Sequence, residues 1–495
     1  MILILLPTSR RSLTFSRRWR DFLLKESLSL DSRMLRCGLS GDNDLHDDGD
    51  EALLGDWYIS PAPKPSPTFP LSPQSASVPL STPSGGTPSL ISTVDELKNA
   101  ARVLANGHGP LAVDTERASA YRYGDRAFLL QLKRAGSGLF LVDAEACRSD
   151  MGLLAPVVNR LTWIIHSART DLPALLNMGL TPHRLFDTEL GGRIAGLKKV
   201  NLGDMVDGFV GYRLAKEHGH ENWSRRPLPD EWLDYAALDV ECLLELSTGV
   251  AGLLSELDRF VWWAEECECI RTSTLADAPS VEPSLRVKGL NNLSTPAQRE
   301  LAFTLSRERD RRARAVDRSP HRVLSNSDLI AIARKNPRTF QEMMDAAHFR
   351  SMRNARSWWS VIRGEQDKTT ASSSENASSH YATNDDRGPS RHQGRHSDAE
   401  YAGGRRFPNS DRGHKAEELY SLCSESINVV SEQTGIPHEV IITPQIVRLM
   451  AWHFSSEPQA HAMGIDMFFA RHGVRRWQRR IVSPVCADAL GDHNH

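Results

Sequence analysis

The chain has 495 residues, 40% of them hydrophobic and 25% charged, enough to bury at least one sizeable core and to build two or three. A formal net charge of -2 names no partner by itself, because the charges are unevenly placed. No stretch approaches the roughly 20 apolar residues a membrane-spanning helix needs, and the opening "MILILLPTSRRS" is too short for a secretory leader, with its basic residues after the apolar run rather than before it.

Seven scattered cysteines, an odd number, offer no pair at zinc-ligand spacing; the tight "CEC" at Cys267 suits a helix rather than a tetrahedral site. The chain therefore reads as soluble and cytoplasmic, in a reducing compartment. Residues 42–51 ("DNDLHDDGDE") are acidic, whereas 299–363 are basic, with Arg307, Arg309, Arg311, Arg312, Arg314, Arg318 and Arg322 close together. Such a run fits either a nucleic-acid face or a solvated helix broken by Glu308, Asp310 and Asp317.

In chain order, residues 1–87 lack periodicity and end in a Pro/Ser-rich tract, expected to be disordered. Met34 offers a second in-frame start. "STVDELKNAARVLA" then predicts a helix capped by Ser92 or Thr93. Three strands follow, "PLAVDTE", "AFLLQLK" and "GLFLVDA", then a helical stretch near Leu153 to Leu161. A fourth strand, "TWIIHS", leads to a helix from Asp171, and a fifth, "RLFDTE", leads to "LGGRIAGL". Helices are expected from Pro229 to about Thr274. Strands that first run in succession and then alternate with helices predict a mixed sheet flanked by helices.

Beyond Pro279 the pattern is helical. "PHRVLSNSDLIAIA" from Pro320 aligns without gaps on "PHEVIITPQIVRLM" from Pro437, matching Leu324 to Ile441 and Ile330 to Val447, which points to two copies of one small module. The expected organisation is an extension over 1–87, an α/β domain over 88–278, one all-α bundle over 283–364, a disordered polar linker over 365–413 and a second bundle over 414–490.

The chemistry lies in four carboxylates and a phenol. Asp114 and Glu116, two apart on the first strand, point to one face about 7 Å apart. Two carboxylates closing a buried strand are costly unless a cation compensates them, and hard oxygen ligands suit Mg2+ or Mn2+. Asp171 follows another buried strand; alone it fits an N-terminal helix cap equally well. His166 reads as a satisfied strand-end histidine. In "LPDEWLDYAALDV", Tyr235 and Asp239 share a helix face, about 6 Å apart along the axis. Together the group suits two divalent ions about 4 Å apart, stabilising attacking and leaving oxygens in an in-line phosphoryl displacement.

"VDTE", "HSARTDL" and "YAALDV" resemble, in order and spacing, the three motifs of the DEDD 3′→5′ exonuclease superfamily, and the tyrosine four before the last aspartate marks the DEDDy branch. "FDTELGGRIAG" and "KEHGHENWSRRPLPDEWLDYAALDVECLLEL" are similar to the ribonuclease D family within it, and the helical modules resemble HRDC (helicase-and-ribonuclease-D C-terminal) domains. The resemblance covers about Pro88 to Thr274 and extends to those modules, but not to the N-terminal extension or the long linker.

It implies an RNase H-like fold and a two-metal exoribonuclease that releases 5′-monophosphates from RNA with a free 3′ end, tRNA precursors among them. Asp114, Glu116 and Asp239 would hold one divalent cation, Asp114 with Asp171 would place the second, and Tyr235 would position the water. Arg226, after Trp223 and Arg225, is the candidate phosphate contact. A monomer without small-molecule cofactor or membrane partner is expected. The competing functions are a DNA exonuclease of the same chemistry and a non-catalytic nucleic-acid scaffold; intact carboxylates and tyrosine weigh against the scaffold.

Overall fold

The computed structural model describes residues 77–215, 221–276, 287–364, 407–455 and 464–493. The α/β part begins with β1 (Val78–Leu80), β2 (Leu90–Ile91), α1 (Val94–Ala105), β3 (His108–Arg117), β4 (Ala127–Ala135) and β5 (Gly138–Asp143). After a 3-10 turn over Arg148–Leu153 come α2 (Ala155–Val158), β6 (Thr162–Ile165), α3 (Ala168–Leu176), β7 (Arg184–Asp187), α4 (Thr188–Ala195), α5 (Leu202–Val210) and β8 (Tyr212–Leu214). Three helices close it: α6 (Asp230–Glu241), α7 (Leu243–Glu256) and α8 (Phe260–Ala276).

The main sheet has strand order β2-β5-β4-β3-β6-β7. β3, β4 and β5 form an antiparallel meander, whereas β6 and β7 join in parallel beyond β3, so the sheet is mixed as the strand pattern predicts. β3 sits centrally, and Leu111, Ala112 and Val113 are fully buried within it. Local chemistry fixes the helices around it. Thr93 and Glu96 form a capping box at the start of α1. Asp187 and Asn201 cap α4 and α5, and left-handed Gly196 and Gly211 end them.

Two differences from the sequence expectations concern the N-terminal side. Residues 77–87, expected within the disordered extension, are described and packed: β1 pairs in parallel with β8, and Ser77 and Thr87 donate to Asp207 and Asp234. Ser84 donates backbone N–H (3.1 Å) and hydroxyl (2.6 Å) to Glu241. Those partners are more than a hundred residues away, so a Pro/Ser-rich tract with no local periodicity gives no sign of them. The expected extension over 1–76 lies outside the described residues. Likewise α3 opens at Ala168, one turn before the expected Asp171.

The rest of the chain is helical. The first module comprises α9 (Pro296–Ala315), α10 (Pro320–Val323), α11 (Asn326–Lys335), α12 (Phe340–Ala346) and α13 over 352–364. The second comprises α14 (Asp411–Thr434), α15 (His438–Ile441), α16 (Pro444–Phe454), α17 (Ile465–Arg471) and α18 (Arg476–His493). Both run long helix, single turn, medium helix, short helix, long helix. The matched pairs Leu324/Ile441 and Ile330/Val447 are buried in both, each in its own core. Of the expected linker, 365–406 lies outside the described residues, and α14 starts at Asp411 under a Ser410 cap. Among the described residues no helix is long and apolar enough to cross a membrane.

Candidate active site

Strand β3 carries Asp114 and Glu116 to one face, and α6 packs over that face. The strand alternation that buries Val113 and Thr115 on the opposite side forces the two carboxylates together. Pro229 opens α6, and the 3.6-residue period turns Trp232, Ala236 and Ala237 onto the sheet while Asp239 reaches the strand. Oxygens of Asp114, Glu116 and Asp239 lie within 4.8 Å of one another. Tyr235 hydrogen-bonds Asp239 one turn along, and its ring lies 6.4 Å from that of fully buried Trp223.

Asp171 stands apart from the tight trio but within its field. Its Oδ1 accepts the Thr115 hydroxyl at 2.7 Å and lies 3.7 Å from the Arg117 guanidinium; Oδ2 accepts Thr170 at 3.0 Å. The simple alternative, that Asp171 caps its helix, is answered by the structure. Asp187, at the end of β7, accepts the N–H groups of Ser167 (3.2 Å) and Ala168 (2.8 Å) and so fills that role. Ser167 itself is left-handed at φ 68°, a conformation that costs a non-glycine residue energy and here aims the first turn of α3.

Protonation follows from this crowding. Burial, then repulsion from the neighbouring carboxylates, holds Asp114 and Glu116 well above the ordinary carboxylate range. Burial raises Asp171 against the pull of Arg117, and burial lifts Asp239 to about 7 against the Tyr235 hydrogen bond. Asp114 and Asp239 keep some exposed surface, yet protein surrounds their carboxyls closely enough for desolvation to dominate. The Tyr235 phenol is pushed upward by burial and by Asp239, so it stays neutral. His166 falls to about 4 through burial and bonds Thr188 at 2.9 Å, as a satisfied histidine should.

Arg226 corrects the sequence reading. Its Nε and one terminal nitrogen grip the two oxygens of buried Asp143, each at 2.6 Å. The remaining donors go to the carbonyls of Trp223 (2.8 Å), Arg225 (2.7 Å) and Phe128 (3.0 Å). All five guanidinium N–H groups are engaged, so Arg226 holds its own loop to the sheet and has none left for a phosphate. The partner, Asp143, is at a strand end 83 residues away, which no local spacing reveals.

The arginine run on α9 is also largely committed. Arg311 and Arg312 bind Glu308 at 2.6 Å, Arg309 is buried on Asn326 at the same distance, and Arg314 bonds the Tyr123 hydroxyl at 3.0 Å. Arg350, Arg353, Arg356 and Arg363 are exposed, with no ion-pair partner among the described residues.

Comparison with known proteins identifies the domains that carry this site. A family model described as a 3'-5' exonuclease matches residues 88–251, one described as an HRDC domain matches 298–358, and one described as a 3' to 5' exonuclease C-terminal domain matches 410–490. A ribonuclease D from Acidiphilium cryptum is 28% identical over 55% of this chain and 66% of its own length. The chain thus carries a 3'-5' exonuclease domain and an HRDC domain and is similar to ribonucleases D. The match spans 66% and 65% of the length of the ribonucleases D from Acidiphilium cryptum and Xanthomonas oryzae. A protein from Bifidobacterium adolescentis of known crystal structure superposes with a TM-score of 0.67 at 27% identity, covering 84% of this chain and all of that one. Escherichia coli RNase D, described as an exoribonuclease involved in structured RNA processing, shares the fold at TM-score 0.56 and 21% identity, over 82% of this chain and 98% of its own.

The donor set fits the divalent metal that the resemblance implies. The three close oxygens are hard ligands, and their raised protonation marks a site strained by its own charge, the condition a divalent cation relieves.

Proposed function

We propose that the chain is a divalent-metal-dependent 3′→5′ exoribonuclease of ribonuclease D type, removing terminal nucleotides as 5′-monophosphates from RNA with a free 3′ end, tRNA precursors included. The observation that carries it is the junction of Asp114, Glu116 and Asp239 within 4.8 Å, with Tyr235 bonded to Asp239 on the same helix. Asp114, Glu116 and Asp239 would hold one Mg2+ or Mn2+, and Asp171 with Asp114 the second. Such a pair supplies charge stabilisation for in-line displacement at phosphorus and acidifies a bound water.

The chain's own residues supply the rest. Neutral Tyr235 orients the attacking water through its hydroxyl rather than removing a proton from it. Thr115, Thr170 and Arg117 fix Asp171. Water oxygen bonds to phosphorus as the bond to the 3′ oxygen breaks, leaving a shortened RNA with a 3′ hydroxyl and a nucleoside 5′-monophosphate. Exposed arginines of the HRDC module would meet the RNA backbone without reading sequence.

Matched RNA and DNA oligomers with free or blocked 3′ ends, digested with Mn2+, test this reading. Mononucleotides from free-ended RNA are expected. Equal digestion of DNA would move the assignment to a general exonuclease, and binding without release would leave a scaffold.

A further inference from the structure

On the face of the sheet beneath α6, the polar residues of β4 and β5 have partners, with one exception. The Lys133 ammonium reaches the Glu241 carboxylate at 3.0 Å, and Asp143 takes Arg226. Between them Gln131 is fully buried, and neither its amide oxygen nor its amide nitrogen has a hydrogen-bond partner among the described residues. A buried amide left in that state is costly, and an apolar residue would fill the place better unless the amide has a task.

Register shows what that task concerns. Gln131 pairs directly with Asp114 across β3 and β4, and with Leu141 across β4 and β5. Opposed residues of an antiparallel pair project to the same face, with Cβ atoms about 5 Å apart. The amide therefore lies alongside the first carboxylate of the cluster. The other aspartates have side-chain donors: Asp171 has the hydroxyls of Thr115 and Thr170, and Asp239 has Tyr235. Asp114 takes the backbone N–H of Thr115.

We infer that Gln131 is a positioning residue for Asp114: its amide N–H donates to the ionised carboxylate and fixes its orientation when the cluster holds a divalent cation. The inference rests on the metal-centre reading of the cluster. Outer donors that orient a ligand carboxylate typically matter 10- to 100-fold in metal affinity. Removing this one should weaken metal binding without weakening the metal-free fold.

The full chain, its Gln131→Met variant of similar volume, and its Gln131→Asn variant, whose amide is one methylene short, are titrated calorimetrically with Mn2+ and melted in chelator. The inference expects the methionine variant to melt in chelator no lower than the parent, and both variants to bind Mn2+ about tenfold or more weakly. Should the methionine variant fail to fold, the asparagine variant decides alone. Parental Mn2+ affinity in the folded variants overturns the role. So does a fall in the methionine variant's melting temperature that accompanies the affinity loss, since that marks a merely structural amide. A parent chain that takes up no Mn2+ overturns the metal centre itself.

Discussion

The two helical modules share an order of elements but dock on the exonuclease domain by different chemistry. The HRDC module clasps the loop between β3 and β4 with polar groups. Asp317 accepts Arg126 at 2.8 and 2.7 Å and Arg122 at 3.3 Å, Asp310 takes the Tyr123 hydroxyl at 2.9 Å, and Arg322 donates to the Ala120 carbonyl at 2.7 Å. These side chains are partly exposed. The C-terminal module instead joins through an ion pair on buried Glu266 and through apolar contact. Glu266 accepts Arg475 at 2.5 and 2.7 Å and the Trp477 indole at 2.9 Å, Trp262 stacks on Trp477 at 5.2 Å, and Trp262 and Val440 pack against both cores. Left-handed Gly196 and Gly435 meet so closely that a Cβ on either would lie under 3.0 Å from the facing backbone.

The difference teaches that a repeated element order need not repeat an interface. One module grips the strand-to-strand loop that leaves Asp114 and Glu116, through pairs that water can replace. The other extends the hydrophobic core around α8. The first contact is therefore expected to be the weaker of the two.

The largest effect is expected at Glu266. Glu266→Ala leaves half-buried Arg475 and the Trp477 N–H without their buried acceptor and should cost about 3 kcal/mol in urea unfolding; a loss under about 1 kcal/mol would erase the distinction between the docks. Asp317→Ala should cost only about 1 kcal/mol, because the carboxylate it removes is itself 40% exposed, where Glu266 is 4% exposed. It should raise hydrogen exchange across residues 118–126 and leave 259–266 unchanged, and equal exchange in both segments would contradict separate docking. The smallest effect separates docking arginines from free ones. Arg353→Glu with Arg356→Glu should reduce the salt dependence of RNA binding by about one unit of slope per lost contact. Arg311→Glu, already opposite Glu308, should change it less.

Much of the site was legible in the sequence because its determinants are local. A two-residue spacing on a strand and a four-residue spacing on a helix place Asp114 with Glu116 and Tyr235 with Asp239 whatever the rest of the chain does. The mixed sheet followed from its apolar runs for the same reason. What escaped depends on distant partners. Arg226 met Asp143 instead of a phosphate, Asp187 rather than Asp171 accepts the α3 amides, and β1 emerged from a tract whose composition reads as disordered. Gln131 stands in an ordinary apolar strand, "AFLLQLKRA"; its interruption of that run was a signal, but only the register with Asp114 gives it meaning.

The most direct test of the carboxylate centre is mononucleotide release by Asp239→Asn beside the parent chain, on RNA with a free 3′ hydroxyl and Mn2+, with both proteins shown to melt alike in chelator. The expected result is release of 5′-monophosphates by the parent and a fall to about a hundredth or less in the variant. Parental rates in the variant would contradict the assignment of Asp114, Glu116 and Asp239 as the reacting centre.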